Sequence, residues 1–479
     1  MNIPTASEPF RFEDRTGLAP ADLRRIIDLA LSSGGDFAEV FLEYREFSSA
    51  HMEDDIIKDT SENLSLGLGI RVWSGDTTGY GYTNDLSWER IRRTALSAAA
   101  VSTGPAKLRA VDLCETLVDD RLYKALAPAH EAAFETKIDL VRRAYAACQK
   151  ADPAVKKVKA SIQDLIQYVL IVNSEGLFVR DARPLLKLTC AGIAERGDIR
   201  EYGYSGGGGR VGLEYFDRTL TPEAIGTEAA REALDLLDAR DAPAGEMPVV
   251  LAPGHAGVLI HEAVGHLLEA DFTRKKTSVF WNKGGQRIGA PTVTIYDDPT
   301  IPGSRGSYAV DDEGTVPHKT LLIEKGVIRG LLQDKLSAHL MNQPLTGHGR
   351  RQDYTDVPIP RMANTYIERG EHDPEEILRS VKKGFYAERF TGGQVEDSGK
   401  FTFSVSSGWL IEDGRRTAPV KQATLIGSNL DILGKVAMVG SDLAFGLQTG
   451  TCSKDGQDVP VNDGCPTLKI SAMTVGGRR

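Results

Sequence analysis

The chain has 479 residues, 41% of them hydrophobic and 26% charged, an ordinary balance for a soluble protein with enough chain for two or three domains. Its formal net charge of −10 argues against a broad nucleic-acid or anionic-membrane surface, because both need a basic face. The start, residues 1–14, lacks the basic and apolar regions of a signal peptide, no apolar run is long enough to cross a bilayer, and the five cysteines (Cys114, Cys148, Cys190, Cys452 and Cys465) are too scattered for a disulfide framework, so a cytoplasmic location is expected.

Residues 20–33 carry Leu23, Ile26, Ile27, Ala30 and Leu31 at helical spacing and stop at Gly34-Gly35. A strand with Ala38, Val40, Leu42 and Tyr44 alternating follows. Residues 62–73 place Leu64, Leu66, Leu68, Ile70 and Val72 on one face and mostly small or polar residues on the other. Residues 74–79 read as a turn and 80–83 as the returning hairpin strand; Asp85 is a candidate cap for a helix to about Ala100. The vocabulary then repeats, with a helix over 131–150, strands over 154–173 and 177–193, and a helix opened by Thr221-Pro222 with Ile225, Ala229, Ala233 and Leu237 on one face. The break Asp241-Ala242-Pro243-Ala244-Gly245 sets the main boundary. The expected class is α+β in two parts. An N-terminal α/β domain of antiparallel strands and helices spans 1–240, divisible into similar units of about 1–110 and 111–240, and a β-rich domain spans 247–479. The second part opens with a buried strand, Pro248 to Ala252, and a helix apolar on more than one side through Val258, Leu259, Ile260, Val264, Leu267 and Leu268. Beyond residue 290 come short β-like runs broken by Gly and Pro.

That buried helix reads His261-Glu-Ala-Val-Gly-His266. Two imidazoles can hold a metal, and a glutamate beside the first can take a proton from water at the metal. The histidines are five apart. On a regular helix, four residues leave side chains roughly 40° apart and five leave them roughly 140° apart, so both reach one metal only if the helix is distorted, for example by a π-turn eased by Gly265. Glu262 is the candidate general base. Glu269, three residues after His266, could orient a ligand imidazole from behind or form a surface ion pair. His255 reads as a helix-start residue. A third ligand could be Cys452, in the polar loop Thr449 to Gly456, since a structural cysteine more often sits in an apolar run and thiolates suit zinc. Gly347-His348-Gly349-Arg350-Arg351-Gln352 could grip a peptide carbonyl or carboxylate, or form structural ion pairs. The Gly206–Gly209 run, followed by Arg210, lacks the Gly-Lys-Ser/Thr ending of a phosphate loop and reads as a flexible loop. Asp311-Asp312-Glu313-Gly314-Thr315 lacks the wider pattern of a calcium loop and reads as a solvated turn.

Taken together, several segments resemble the TldD/PmbA family of metalloproteases, in its TldD-type catalytic form. They are His261 to Glu269, Asp271 to Phe280, Gly347 to Tyr354, Pro360 to Thr365, Cys452 to Val461 and Leu468 to Gly477, with the Gly206–Gly209 run in the N-terminal half. The resemblance implies zinc held by His261, His266 and Cys452, with Glu262 as catalytic acid/base. It also implies action on unfolded or extended peptides and a dimer, either of identical chains or with a PmbA-like subunit lacking the metal motif. It assigns nothing to Cys465. An older label, modulator of DNA gyrase, attaches to the family, but the acidic charge does not favour direct DNA binding. The expected protein is therefore a zinc peptidase working in an enclosed dimer cavity on peptides bound along a strand edge, with no nucleic-acid or membrane partner. The rivals are a cysteine hydrolase using Cys452 and a non-catalytic partner protein.

Overall fold

The computed structural model describes residues 10–108, 110–123, 125–395 and 399–477, so most of the start on which the absence of a leader was read lies outside the described residues. In the N-terminal half one sheet runs Thr77–Thr83, Ile56–Ser74, Phe37–Glu53, Val155–Asn173, Leu177–Arg196, and the last of these also pairs with Cys114–Thr116 and Ile199–Gly209. The two similar units thus share one sheet, joined where Phe37–Glu53 pairs with Val155–Asn173 from Glu39↔Asn173 to Glu53↔Lys159.

Alternation gives this sheet two faces. Ala38, Val40, Leu42, Leu68, Ile70 and Val72 close a core with Leu23, Ile26 and Ile27 of the helix Pro20–Ala30 and with Ile91 and Ala95 of Trp88–Ala99. Further along the sheet, Ala50, Ile162 and Leu188 pack under the helices Phe134–Lys150 and Pro222–Leu237. The Thr221 hydroxyl caps the latter, accepting from the Ala224 N–H at 3.2 Å. Asp85 acts one step earlier than expected: its carboxylate accepts from the Ser87 N–H, and Ser87 occupies the cap position. Leu64, expected on the buried face, is 72% exposed, because its 19-residue strand outruns the helices that cover residues 66–73.

The opposite face meets the C-terminal half. Phe41, Val169, Ile171 and Val179 pack on Val310, and beside them lies a buried ion network. Arg71 donates to Glu39 at 2.8 Å and Glu313 at 2.6 Å, and Arg351 also pairs with Glu39. Residues 311–315 are therefore no solvated turn. Asp311, Asp312 and Glu313 are buried because Arg71, Arg183 and backbone N–H groups take up their charge. The Gly206–Gly209 run is also corrected. It ends the strand Ile199–Gly209, is buried, and pairs with Leu186 to Thr189. Its glycines are needed for close approach, since a Cβ on Gly209 would stand 2.3 Å from the Gly303 carbonyl oxygen.

In the C-terminal half Leu468–Gly476, Gly245–Leu251, Lys383–Val395, Lys400–Glu412 and Arg415–Ser428 pair in succession, and the first pairs with the last to close a ring. A six-stranded sheet of short strands lies beside it. No helix of the described residues is long and apolar enough to cross a membrane.

Candidate metal centre

After Gly245–Leu251 the chain does not form the single helix that apolar spacing suggests. It winds through a 3-10 turn at His255–Gly257, an α-turn at Val258–Ile260, a π-turn at His261–Gly265 and a 3-10 turn at His266–Leu268. The His266 N–H reaches the His261 carbonyl, five residues back. The wider winding of a turn closed over five residues brings the two imidazoles toward the same side, which a regular helix forbids. Gly265 is required by packing as well as by the turn: a Cβ there would lie 2.0 Å from Met362 Sδ. Gly257 does similar work, since its Cβ would meet Gly464 N at 2.6 Å. That approach seats the strand Asn462–Cys465 against the motif.

The third group arrives on a hairpin, Thr451–Lys454 paired with Gln457–Pro460. Cys452 Sγ lies 3.3 Å from His261 Nε2 and 3.3 Å from His266 Nε2, and all three atoms fall within 4.8 Å of one another. Ligand atoms about 2.0–2.3 Å from a tetrahedral metal are separated by roughly 3.4–3.6 Å, so the donor set fits zinc in both chemistry and spacing. Each imidazole is oriented from behind, as metal-ligating histidines are. His261 Nδ1 is 2.7 Å from Asp463, and His266 Nδ1 is 2.9 Å from Glu269. Glu269 is fully buried and faces Lys454 at 3.1 Å, which also donates to Asp271 at 2.8 Å. Glu262 stands at the opening of the cluster, 28% exposed, with its carboxylate 3.9 Å from His266 Nε2.

The electrostatics favour an ionised cluster. Burial disfavours charge on Cys452, but His261 and His266 overcome it and hold the thiol well below its ordinary range. Burial likewise opposes charge on His266, yet Glu269 and Cys452 push it up to about 10. For Glu269, burial is outweighed by Lys454 and His266, which hold it down to about 2. A cation entering the cluster takes over the positive charge that the imidazole protons supply. For Glu262, burial wins over the partial offset from His261 and His266 and raises it.

Three family descriptions tile the chain: the PmbA/TldA metallopeptidase domain 1 over 38–102, its central domain over 128–237 and its C-terminal domain over 244–477. The chain is 39% identical to the metalloprotease TldD homolog of Haemophilus influenzae, covering 96% of this chain and 97% of that protein. The chain belongs to the PmbA/TldA metallopeptidase family. It is also 37% identical to a Buchnera aphidicola TldD homolog over 92% of this chain and 93% of the relative. The fold matches that of TldE from Thermococcus kodakarensis, with a TM-score of 0.75, 18% identity and coverage of 96% of this chain and 100% of that one. It also matches a Thermotoga maritima protein described as a candidate modulator of a DNA gyrase, with a TM-score of 0.77, 23% identity and coverage of 92% and 96%.

Within this metallopeptidase fold the remaining expected residues fall apart. His348 is buried between Asp297 and Thr346, both at 3.0 Å, and Arg351 is committed to Glu39 and the Asp312 carbonyl. Both follow the ion-pair reading of the segment, because the Asp297 and Glu39 carboxylates, distant in sequence, face them. Arg350 has carbonyl partners only, Met362 and Pro460. His255 begins the first 3-10 turn as expected, and the Cys465 thiol faces the Ala252 carbonyl at 3.4 Å. Sequence reasoning missed Asp463, Lys454 and Arg361, whose guanidinium donates to the Cys452 carbonyl at 2.6 Å. Lys454 was within reach, being two residues from Cys452 and so on the same strand face. Asp463 carried no local signal, standing 202 residues from the histidine it orients.

Proposed function

We propose that this metallopeptidase is a zinc enzyme that hydrolyses unfolded or extended peptides. The observation that carries the reading is the meeting of His261, His266 and Cys452 with the Glu262 carboxylate at the mouth of the cluster. A relative from Saccharolobus solfataricus, 33% identical over 49% of this chain and 52% of its own length, is named a zinc metalloprotease. Bound zinc would supply Lewis acidity toward the scissile carbonyl and the attacking water. Glu262 takes the water's proton and returns it to the leaving amine; its partial exposure and raised proton affinity suit both transfers. Asp463 and Glu269 fix the ring nitrogens that face away from the metal, and Lys454 holds Glu269 in place. The peptide lies extended along a strand edge and is held by main-chain hydrogen bonds, so selection is by shape rather than sequence.

We further propose a cytoplasmic dimer with the site facing an enclosed cavity, formed with an identical chain or a PmbA-like subunit. The likeness to a TldE supports a second subunit of this fold, and a free thiol ligand suits a reducing compartment.

A cysteine hydrolase is the second reading, favoured by the 3.3 Å contacts between the thiol and two imidazoles. One experiment separates them. The purified chain is treated with chelator, then zinc is restored, and the products from an unstructured peptide are identified by mass spectrometry. Cleavage lost with the metal and regained with zinc supports the zinc peptidase, whereas cleavage that persists without metal supports the cysteine hydrolase. Light scattering, alone and with a PmbA-like chain, tests the dimer.

A further inference from the structure

A second polar site lies between the two halves, behind the hairpin that carries Cys452. Thr451 and Pro460 of that hairpin line a cavity of about 260 Å³, many times the roughly 30 Å³ of a water molecule. Three of its arginines, Arg210, Arg305 and Arg350, are each at least 94% buried. Among the described residues, none of them has a carboxylate hydrogen-bonding partner. Arg210 donates to the Pro184 carbonyl at 3.3 Å, and its Nε has no partner among the described residues. Arg305 donates to the Gly450 carbonyl at 2.6 Å and approaches Thr451 Oγ1 at 3.5 Å. Arg350 donates to the Met362 and Pro460 carbonyls.

The acids on the same walls are already engaged. Asp312 accepts from Arg183 and from the Arg351 N–H. Asp311 accepts from the N–H groups of Glu313, Thr315 and Gly349. Asp458 accepts from Ser453. Of these acids only Asp312 is paired with a cation, yet arginines outnumber aspartates in the lining, so the balance of the cavity is positive. Burial, with neighbouring arginines adding to it, lowers Arg210 to about 9 and Arg305 to about 10. Gathering uncompensated buried cations is costly unless an anion joins them. The glycine run builds the arrangement: bare Gly209 lets residues 303–305 close in, and the Arg210 N–H bonds the Gly303 carbonyl at 3.0 Å.

We propose that this cavity is an oxyanion-binding site in which Arg210, Arg305 and Arg350 receive a carboxylate or phosphate group. Planar guanidinium groups match both by paired N–H bonds. Two sources share that chemistry: the C-terminal carboxylate of a peptide substrate, which rests on the peptidase reading, and a free phosphate-class anion, which does not.

Calorimetry at constant ionic strength on the zinc-loaded Glu262→Gln protein, in which peptides stay intact, tests this. Inorganic phosphate is titrated, then an unstructured pentapeptide as the free acid and as its C-terminal amide. Phosphate is expected to bind one per chain, weakened about tenfold or more by an added Arg210→Gln. Arg305→Gln serves as a second variant, and circular dichroism reports on the fold of both. Free acid binding tighter than amide, with the difference lost in the arginine variants, assigns the site to the peptide terminus. Equal binding of acid and amide beside arginine-dependent phosphate binding assigns it to a free anion. The proposal is overturned if phosphate and both peptides bind folded Arg210→Gln and Arg305→Gln as they bind the parent, or if phosphate does not bind and acid and amide bind alike. Phosphate binding needs no turnover, so it stands or falls apart from the peptidase reading.

Discussion

The central strands of the N-terminal sheet run for 17 to 20 residues, whereas the six-stranded sheet beside the metal centre contains strands of two to five. The long strands have only to present an apolar face to four helices, and simple alternation does that. The metal centre has to bring three ligand atoms within 4.8 Å from positions 261, 266 and 452, and no periodic backbone does so. Regularity builds the N-terminal half; a π-turn, two glycine contacts and a hairpin build the site. Lesions in the two regions should therefore separate cleanly, with chemistry failing in one and stability shifting in the other.

The sharpest test is Cys452→Ser. A neutral hydroxyl is a far poorer zinc ligand than a thiolate, so both bound zinc by elemental analysis and peptide cleavage should vanish while circular dichroism stays native. Normal zinc content with turnover alone abolished would instead favour the nucleophile reading. Glu262→Ala comes next: zinc and fold retained, cleavage reduced about 10²–10⁴-fold.

Glu43 shifts the comparison to the N-terminal sheet. It is fully buried, and burial raises it from 4.5 to about 7 against hydrogen bonds from Gln167 and the Tyr354 N–H. An acid with a raised folded-state pKa stabilises the fold most below its unfolded value. That contribution falls as pH rises from about 4.5 to about 7, by roughly 3 kcal/mol at about 1.4 kcal/mol per pH unit. Denaturant titrations of Glu43→Gln should show this part of the pH dependence removed. Gly265→Ala pushes a methyl against Met362 and should cost about 1–3 kcal/mol. It should also lower zinc affinity, because the π-turn sets His266, which distinguishes it from an N-terminal lesion of equal size. Thr221→Ala is the smallest: about 1 kcal/mol from the lost cap, measured by thermal unfolding, with zinc binding unchanged.

The same contrast explains what could be read in advance. The helices at Pro20 and Thr221 and the paired long strands follow from local spacing. The two histidines of the proposed metal site announced themselves through a spacing that only a distorted turn could use, and the π-turn at His261–Gly265 is that distortion. The burial of Glu39, Glu43 and Arg71 was not legible, because alternation marks two faces of a strand but cannot show that the C-terminal half covers the second. Gly206–Gly209 read as a loop because bare backbone looks the same whether it is free or closely packed. Asp463 lay beyond any local pattern, since its partner is defined only by the three-dimensional fold.

The ring of the C-terminal half closes through Leu468–Gly476, which lies between Gly245–Leu251 and Arg415–Ser428. During synthesis from the N-terminus, the first strand of that ring gains Lys383–Val395 first and waits longest for Leu468–Gly476, the strand that closes the ring. The π-turn histidines emerge on the ribosome long before Cys452, Asp463 and the closing strand, so the growing chain carries His261, Glu262 and His266 without the thiol that completes their cluster. Chain order thus makes the cluster one of the last features of the fold to be completed.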